Sequence, residues 1–358
     1  MTSINVKSVT SKEAKPMDQH TQLNIDKIID DVLNTIDRER EREIISRRFG
    51  LKDRKETLEQ IGELLGITRE RVRQLEKAVL ARLKATAERD LPHIKDVEMV
   101  VTDHLKSMGG AARIADLTKR VTGGDDRIDQ ARVSFLALLA PRVTTLDDND
   151  FFYQAAGLAS LHDEKALKNQ VEKVVGAIKK IGEPASIEAV AETVGSKDVK
   201  HTRALASLSK QVATLNKRWG LVKWPMVNPK NIRDKIYVIL HDSGKPMHFS
   251  DIAGAIKDSS FKRKDVTTQA IHNELIKDKR FVLIGRGIYA LKEWGYDRGT
   301  VADVIAKVLK KAGEPLHRDE IVKRVLKSRQ VKETTILLNL QGKPQFKRVA
   351  KATYTLAE

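Results

Sequence analysis

The sequence predicts a mainly α-helical protein: one compact helical domain built on a helix-turn-helix, followed by tandem small domains that each join three helices to a β-hairpin. Three observations carry this. Thr57 to Lys84, TLEQIGELLGITRERVRQLEKAVLARLK, holds two amphipathic helical periods separated by Gly66. Helix-length segments end in Gly-x-Pro three times, at Gly182-Glu183-Pro184, Gly244-Lys245-Pro246 and Gly313-Glu314-Pro315. Each of these is followed by a β-rich stretch, clearest in RFVLIGRGIYALKEW, where Phe281 to Ile284 can pair with Ile288 to Leu291 across Gly285-Arg286-Gly287.

In chain order, residues 1–23 are polar and aperiodic and are expected to be disordered. A helical domain over 24–90 follows. Its first helix starts at Asn24 and buries Ile25, Ile28, Ile29, Val32, Leu33 and Ile36. Asp37 is the expected cap of the second, DREREREIISRRF, which buries Ile44, Ile45 and Phe49 and stops at Gly50 in a left-handed conformation. Thr57 with Gln60 forms a capping box for the third, whose stripe is Leu58, Ile61, Leu64 and Leu65. Thr68 opens the fourth, with Val72, Leu75, Val79 and Leu83 facing inward.

That inward row leaves Arg69, Glu70, Arg73 and Gln74 on neighbouring outward positions near the start of the fourth helix. The N-terminal residues of such a helix are the ones that enter the major groove of DNA. Arg suits guanine, Gln adenine and Glu the amino group of cytosine, while Thr68, Arg71 and Lys77 are placed to meet phosphate or flanking bases.

The tandem domains share one register. Large apolar residues stand at the sixth and tenth positions after each proline: Val190 and Val194, Ile252 and Ile256, Ile321 and Val325. An earlier copy fits if Gly109-Gly110-Ala111 replaces Gly-x-Pro, with Leu117 and Val121 in those places. The period, roughly 60 to 75 residues, suits small domains with their own cores. Boundaries fall at 94–156, 166–226, 230–295 and 299–358. Hairpins are expected at RVTTLDDNDFFYQA, VATLNKRWGLVKW, RFVLIGRGIYALKEW and FKRVAKATYTL, which completes a winged-helix plan in each copy. Lys262, Arg263 and Lys264, then Lys279, Arg280 and Arg286, mark the third copy for DNA contact, and Lys343, Lys347, Arg348 and Lys351 the fourth. Asp147, Asp148 and Asp150 argue against it in the first.

The formal net charge of +17 over 358 residues points to a polyanion, with duplex DNA the expected partner. The absence of cysteine removes disulfides, thiolate metal sites and cysteine nucleophiles. No apolar run approaches a membrane span, and the start of the chain lacks a signal-peptide core, so a cytoplasmic protein without membrane contact is expected. The nine histidines are scattered without metal-ligand spacing, and His248 and His317 occupy equivalent repeat positions, which points to a repeated structural role. GGAAR and IGRGIY lack the context of phosphate loops. No cofactor, metal, small-molecule substrate or enzymatic activity is expected.

The strings RRFGL, TLEQIG and TRERVRQLE, in that order and spacing, resemble region 4 of bacterial primary sigma factors from about Ile25 to Leu83. The resemblance implies that Arg69, Glu70, Arg73 and Gln74 face the upstream promoter hexamer, and that the Asp37 to Gly50 helix helps dock on the flap of the RNA polymerase β subunit. From Asn231 to Trp294, GKPMHFSDIAGAI and FVLIGRGIYAL resemble the HARE-type winged helix of the RNA polymerase delta subunit; the fourth copy resembles it more distantly. Residues before Asn24 are too few for a strand-capturing domain, and aromatic content is 4%, so the expected function is a DNA-binding transcription regulator or partial sigma factor that does not itself open DNA. The alternative is a delta-like polymerase accessory subunit that uses these domains for protein contacts.

Overall fold

The computed structural model describes residues 23–261, 263, 265–296 and 299–357. Met1 to Gln22, Lys262 and Lys264 lie outside them. The described residues form sixteen α-helices and eleven short strands. They divide into two compact units, one comprising the chain up to Ala177 with Ile187–Gln211, the other Ile178–Ser186 with the chain from Val212 onward.

The first unit begins with α1 (Ile25–Asn34), α2 (Glu39–Phe49), α3 (Leu58–Leu65) and α4 (Arg69–Ala87). Asn24 caps α1 through the Lys27 N–H, and Leu23, expected in the disordered tail, packs against the core. Asp37 does not cap α2. The turn after α1 closes around buried Ile36, so the extended residue before α2 is Arg38, one position later. Gly50 takes the left-handed conformation expected of it, with φ 69°. In α3 only Ile61 is fully buried among the expected stripe; Leu58 and Leu65 are half-buried and Leu64 is 54% exposed. Such a short helix, covered from one side only, has room for a narrower stripe than its sequence offers.

The first repeat consists of α5 (Ile94–Ser107), β1 (Ala111–Arg113), α6 (Ile114–Thr122), α7 (Arg127–Leu139), β2 (Val143–Leu146) and β3 (Ala155–Leu158). The return strand of its hairpin pairs Val143 with Leu158 and so runs two residues past 156. Phe151 and Phe152 are not in that strand because the Asn149 side chain accepts both of their N–H groups and folds the segment into a loop. The change of sequence character after Leu91-Pro92 is not a break in packing. One apolar core runs from Ile25 through Leu91 and Ile94 to Leu158. Phe135 of α7 is fully buried, 5.0 Å from the Phe49 ring. Arg132 reaches the Asp26 carboxylate at 2.7 Å and the Leu51 carbonyl at 2.9 Å. The helices α8 (Glu164–Ile181), α9 (Ile187–Val194) and α10 (Val199–Leu208) follow.

The second unit carries the hairpin of β4 (Val212–Leu215) and β5 (Arg218–Leu221), turned by Asn216 and Lys217 at positive φ. The third repeat is α11 (Ile232–Ser243), β6 (Met247–His248), α12 (Phe249–Asp258), α13 (Thr268–Lys277), β7 (Phe281–Gly285) and β8 (Ile288–Leu291). The fourth is α14 (Val301–Ala312), β9 (Leu316–His317), α15 (Arg318–Leu326), α16 (Glu333–Gly342), β10 (Phe346–Ala350) and β11 (Thr353–Leu356).

Each three-stranded sheet has the same order, the strand after the glycine turn pairing with the return strand of the hairpin: β1-β3-β2, β6-β8-β7 and β9-β11-β10. Beside β5 the backbone bridge between Ala185 and Trp219 stands in that place. The hairpin also satisfies an orphan donor at the start of each following helix, since Ile114, Phe249 and Arg318 donate to the carbonyls of Gln154, Gly287 and Ala352. His248 and His317 cap α12 and α15, each Nδ1 accepting a backbone N–H, which is the repeated role their positions suggested. Of the eight register positions all but Val194 are buried. The third and fourth repeats have separate cores and meet where Gln330 donates to the Ile284 carbonyl at 3.1 Å and Arg329 to that of Leu283.

Candidate nucleic-acid interface

The helix-turn-helix is built from α3, the turn at Gly66 and α4. Thr57 and Gln60 exchange both capping-box hydrogen bonds, at 3.3 and 2.9 Å. Gly66 ends α3 at φ 62°, and the Thr68 hydroxyl accepts from the Arg71 N–H at 3.2 Å, so its oxygen already serves as cap. Gly62 sets how closely the turn approaches α3: a Cβ there would lie 2.7 Å from the Ile67 carbonyl oxygen. That constraint went unread in the sequence, where a glycine inside a helix carries no packing signal. Ile44, Ile61 and Val72, fully buried, form the small core that fixes α4 against α2 and α3. Arg48 and Glu76 pair beside it at 3.3 Å.

This framework turns Arg69, Glu70, Arg71, Arg73, Gln74 and Lys77 outward, all exposed. They are not equivalent. Glu70 accepts from Arg73 twice, at 2.7 and 2.8 Å, and from the Gln74 amide at 3.4 Å. The Arg73 hydrogen bonds hold the Glu70 carboxyl below its ordinary range and raise the guanidinium in turn. Arg69 pairs with Glu59 of α3 at 2.9 Å. Arg71 touches only the Gln74 oxygen, at 3.4 Å, and Lys77 has no ion pair among the described residues. The face is therefore an organised cluster in which Glu70 aligns one arginine and one amide, flanked by two cations open to phosphate.

Residues 38–85 match the family model of sigma-70, region 4. Over 57 residues the chain is 47% identical to the RNA polymerase sigma factor SigA of a Bacillus species, a stretch covering 16% of this chain and 15% of that protein. Over 62 residues it is 45% identical to RNA polymerase sigma factor sigB of Arabidopsis thaliana, covering 17% and 10%. The chain thus spans a small part of the relatives it matches. The matched segment contains the helix-turn-helix and the outward cluster. A transcription-related DNA-binding role follows from it in general terms.

Within α2, Ile44 and Ile45 are fully buried and Phe49 packs on Phe135, so none of the three forms an open docking face. Arg286 lies in the second unit, exposed on the β7–β8 turn, and does not belong to the α4 cluster. Arg280, read as a wing cation, is taken up by Asp278 at 2.8 Å and Asp234 at 3.1 Å.

The third helices of the repeats differ in what they leave open. In α7, Val133, Phe135, Leu136, Ala137 and Leu139 are buried, which encloses that helix in the core. In α10, His201 Nδ1 contacts the Gly109 carbonyl at 2.6 Å, Leu208 accepts from the Tyr153 N–H at 2.9 Å, and Arg113 reaches the Ser207 carbonyl. Gly109 and Gly110 replace Gly-x-Pro here because α10 lies on them; a Cβ on Gly109 would stand 2.6 Å from the Lys200 carbonyl. By contrast α13 buries only Ile271 and Leu275, and α16 only Ile336 and Leu340. No described helix is long and apolar enough to cross a membrane. Among the described residues no group of three or more His, Asp or Glu could hold a metal ion.

Proposed function

We propose that this protein is a DNA-binding transcription regulator or partial sigma factor that reads promoter-like duplex DNA through α4 and works with bacterial RNA polymerase, through the β flap, in the cytoplasm. The observation that carries the reading is the exposed cluster of Arg69, Glu70, Arg73 and Gln74 at the start of α4, inside the segment that matches sigma-70 region 4. On this reading the repeats are winged helices, the last two of HARE type, and Arg286 is a wing contact to phosphate; the recurrent three helices with one added strand on the hairpin support it. The protein acts by binding and not by catalysis, with His248 and His317 serving as helix caps. Arg73→Ala should cost the intact protein about 1 to 3 kcal/mol on its preferred duplex and flatten discrimination. Absence of any sequence preference in the intact protein would sink the proposal.

A second reading, a polymerase accessory subunit using these surfaces for protein contacts, is favoured by exposed apolar side chains where a DNA reader would carry polar ones: Leu64 on α3, 54% exposed, and Leu338 on α16, 68% exposed. Co-purification with polymerase without salt-dependent DNA binding would select it.

A further inference from the structure

We infer that α13 is a second base-reading helix and that its target is an A·T base pair in the major groove of duplex DNA. The inference rests on the DNA-binding reading above and extends it to a site in the other unit. With Ile271 and Leu275 buried, the opposite side of α13 presents Gln269, Asn273 and Ile276, all exposed. The Gln269 and Asn273 side chains are hydrogen-bonded to each other at 3.0 Å. Such an amide pair uses one N–H and one carbonyl oxygen between its members. Whichever way the two amides are turned, one carbonyl and one NH2 remain, the acceptor and donor that match adenine N6–H and N7.

Ile276 stands beside them at 62% exposure, an aliphatic side chain of the kind that contacts the thymine methyl group. The charge around the helix suits DNA as well. The first turn of α13 has no acidic residue, Thr267 caps it, and Arg263, Lys277, Lys279 and Arg286 make no ion pair among the described residues. The carbonyl of Arg263 is held by the buried amine of Lys235 at 2.6 Å, which fixes the segment leading into α13. The corresponding helix α16 lacks the amide pair: Leu338 occupies the place of Asn273, and Glu333 sits in its first turn. The chain is thereby assigned two base-reading helices of different preference, α4 with arginines for guanine and α13 with amides and an aliphatic group for A·T.

The test is selection from a random duplex library with the intact protein, its Asn273→Ala and Gln269→Ala variants, and Arg73→Ala; thermal melting checks that each surface variant is folded. Two enriched blocks are expected, one A·T-rich and dependent on Asn273 and Gln269, the other dependent on Arg73. On the selected duplex Asn273→Ala should weaken binding about 5- to 100-fold and leave binding to duplexes lacking the A·T block unchanged. A single block, lost in Asn273→Ala but kept in Arg73→Ala, would uphold α13 while removing α4 from base reading. A single block indifferent to both amide variants but lost in Arg73→Ala overturns the inference and leaves the α4 reading intact. No enrichment at all overturns both.

Discussion

At the scale of single residues, the outward face of α4 is tuned by one carboxylate. Glu70 holds Arg73 in a two-point grip and also takes the Gln74 amide, so in the free protein the main guanine-reading candidate is engaged with a neighbour on its own helix. Contact with DNA requires exchanging that carboxylate for a base or a phosphate. On the proposed DNA-binding reading the pair would suppress indiscriminate binding: a phosphate must compete with Glu70, whereas a guanine edge and a cytosine amino group could occupy both partners at once. Glu70→Gln should release Arg73, strengthen binding to random duplex and steepen the dependence of log K on log salt by about one phosphate contact. An unchanged salt slope would show that Arg73 keeps away from the backbone even when free. The pattern of types Arg, Glu, Arg and Gln was legible in the sequence, but which of them restrain one another was not, because i,i+3 and i,i+4 neighbours offer several pairings and only geometry chooses.

At the scale of elements, the sequence announced those whose signals are local and hid those whose fate depends on distant chain. The capping box at Thr57, the stop at Gly50 and the hairpin of β7 and β8 are written within a few residues of where they act. Leu64 and the strand β3 depart from the sequence expectation because a short stripe and a loop closed by Asn149 depend on what covers them. The third helices were least legible of all: α7 and α10 read like α13, yet their partners are distant in the chain, as Asp26 is from Arg132 and Gly109 from His201. The docking of α10 also carries a pH response. His162 and His201 face each other, Nε2 to Nε2, at 3.0 Å, with Gly109 accepting from the second ring and Asp163 next in the chain. Burial, and then His201, lower the pKa of His162 below its ordinary value, against an opposing pull from Asp163. A base whose pKa is lowered on folding takes up its proton more readily in the unfolded chain, so stability is full above about pH 6.5 and declines as pH falls below it. The melting temperature of the intact protein should drop through that window, and His162→Gln should flatten the drop. A profile identical in the variant would remove the pair from the pH response.

At the scale of the whole molecule, the decisive feature is the insertion of α7 into the core of the helices that carry the helix-turn-helix. Phe135→Ala, in the first repeat, should destabilise by about 3 to 5 kcal/mol and should raise amide exchange in α1 and α2 as well as in α7. Loss of protection confined to the first repeat would mean that the two parts fold independently. The third and fourth repeats, with cores of their own, should be indifferent to that substitution. Charge follows a similar division of labour: the acidic loop of the first repeat is partly neutralised by Lys210, which follows α10 and lies 2.9 Å from Asp148, while cations around α13 are left open.

The shared core also bears on how such a chain can change by descent. A segment that folds alone can be exchanged between genes at its sequence boundary, and the break in character after Leu91-Pro92 looks like such a boundary. Here a crossover at that point would strip Phe49 and Leu51 of their cover and remove the Arg132 partner of Asp26. With α7 built into that core, the helix-turn-helix and the first repeat can only be exchanged together, whereas the third and fourth repeats keep cores of their own.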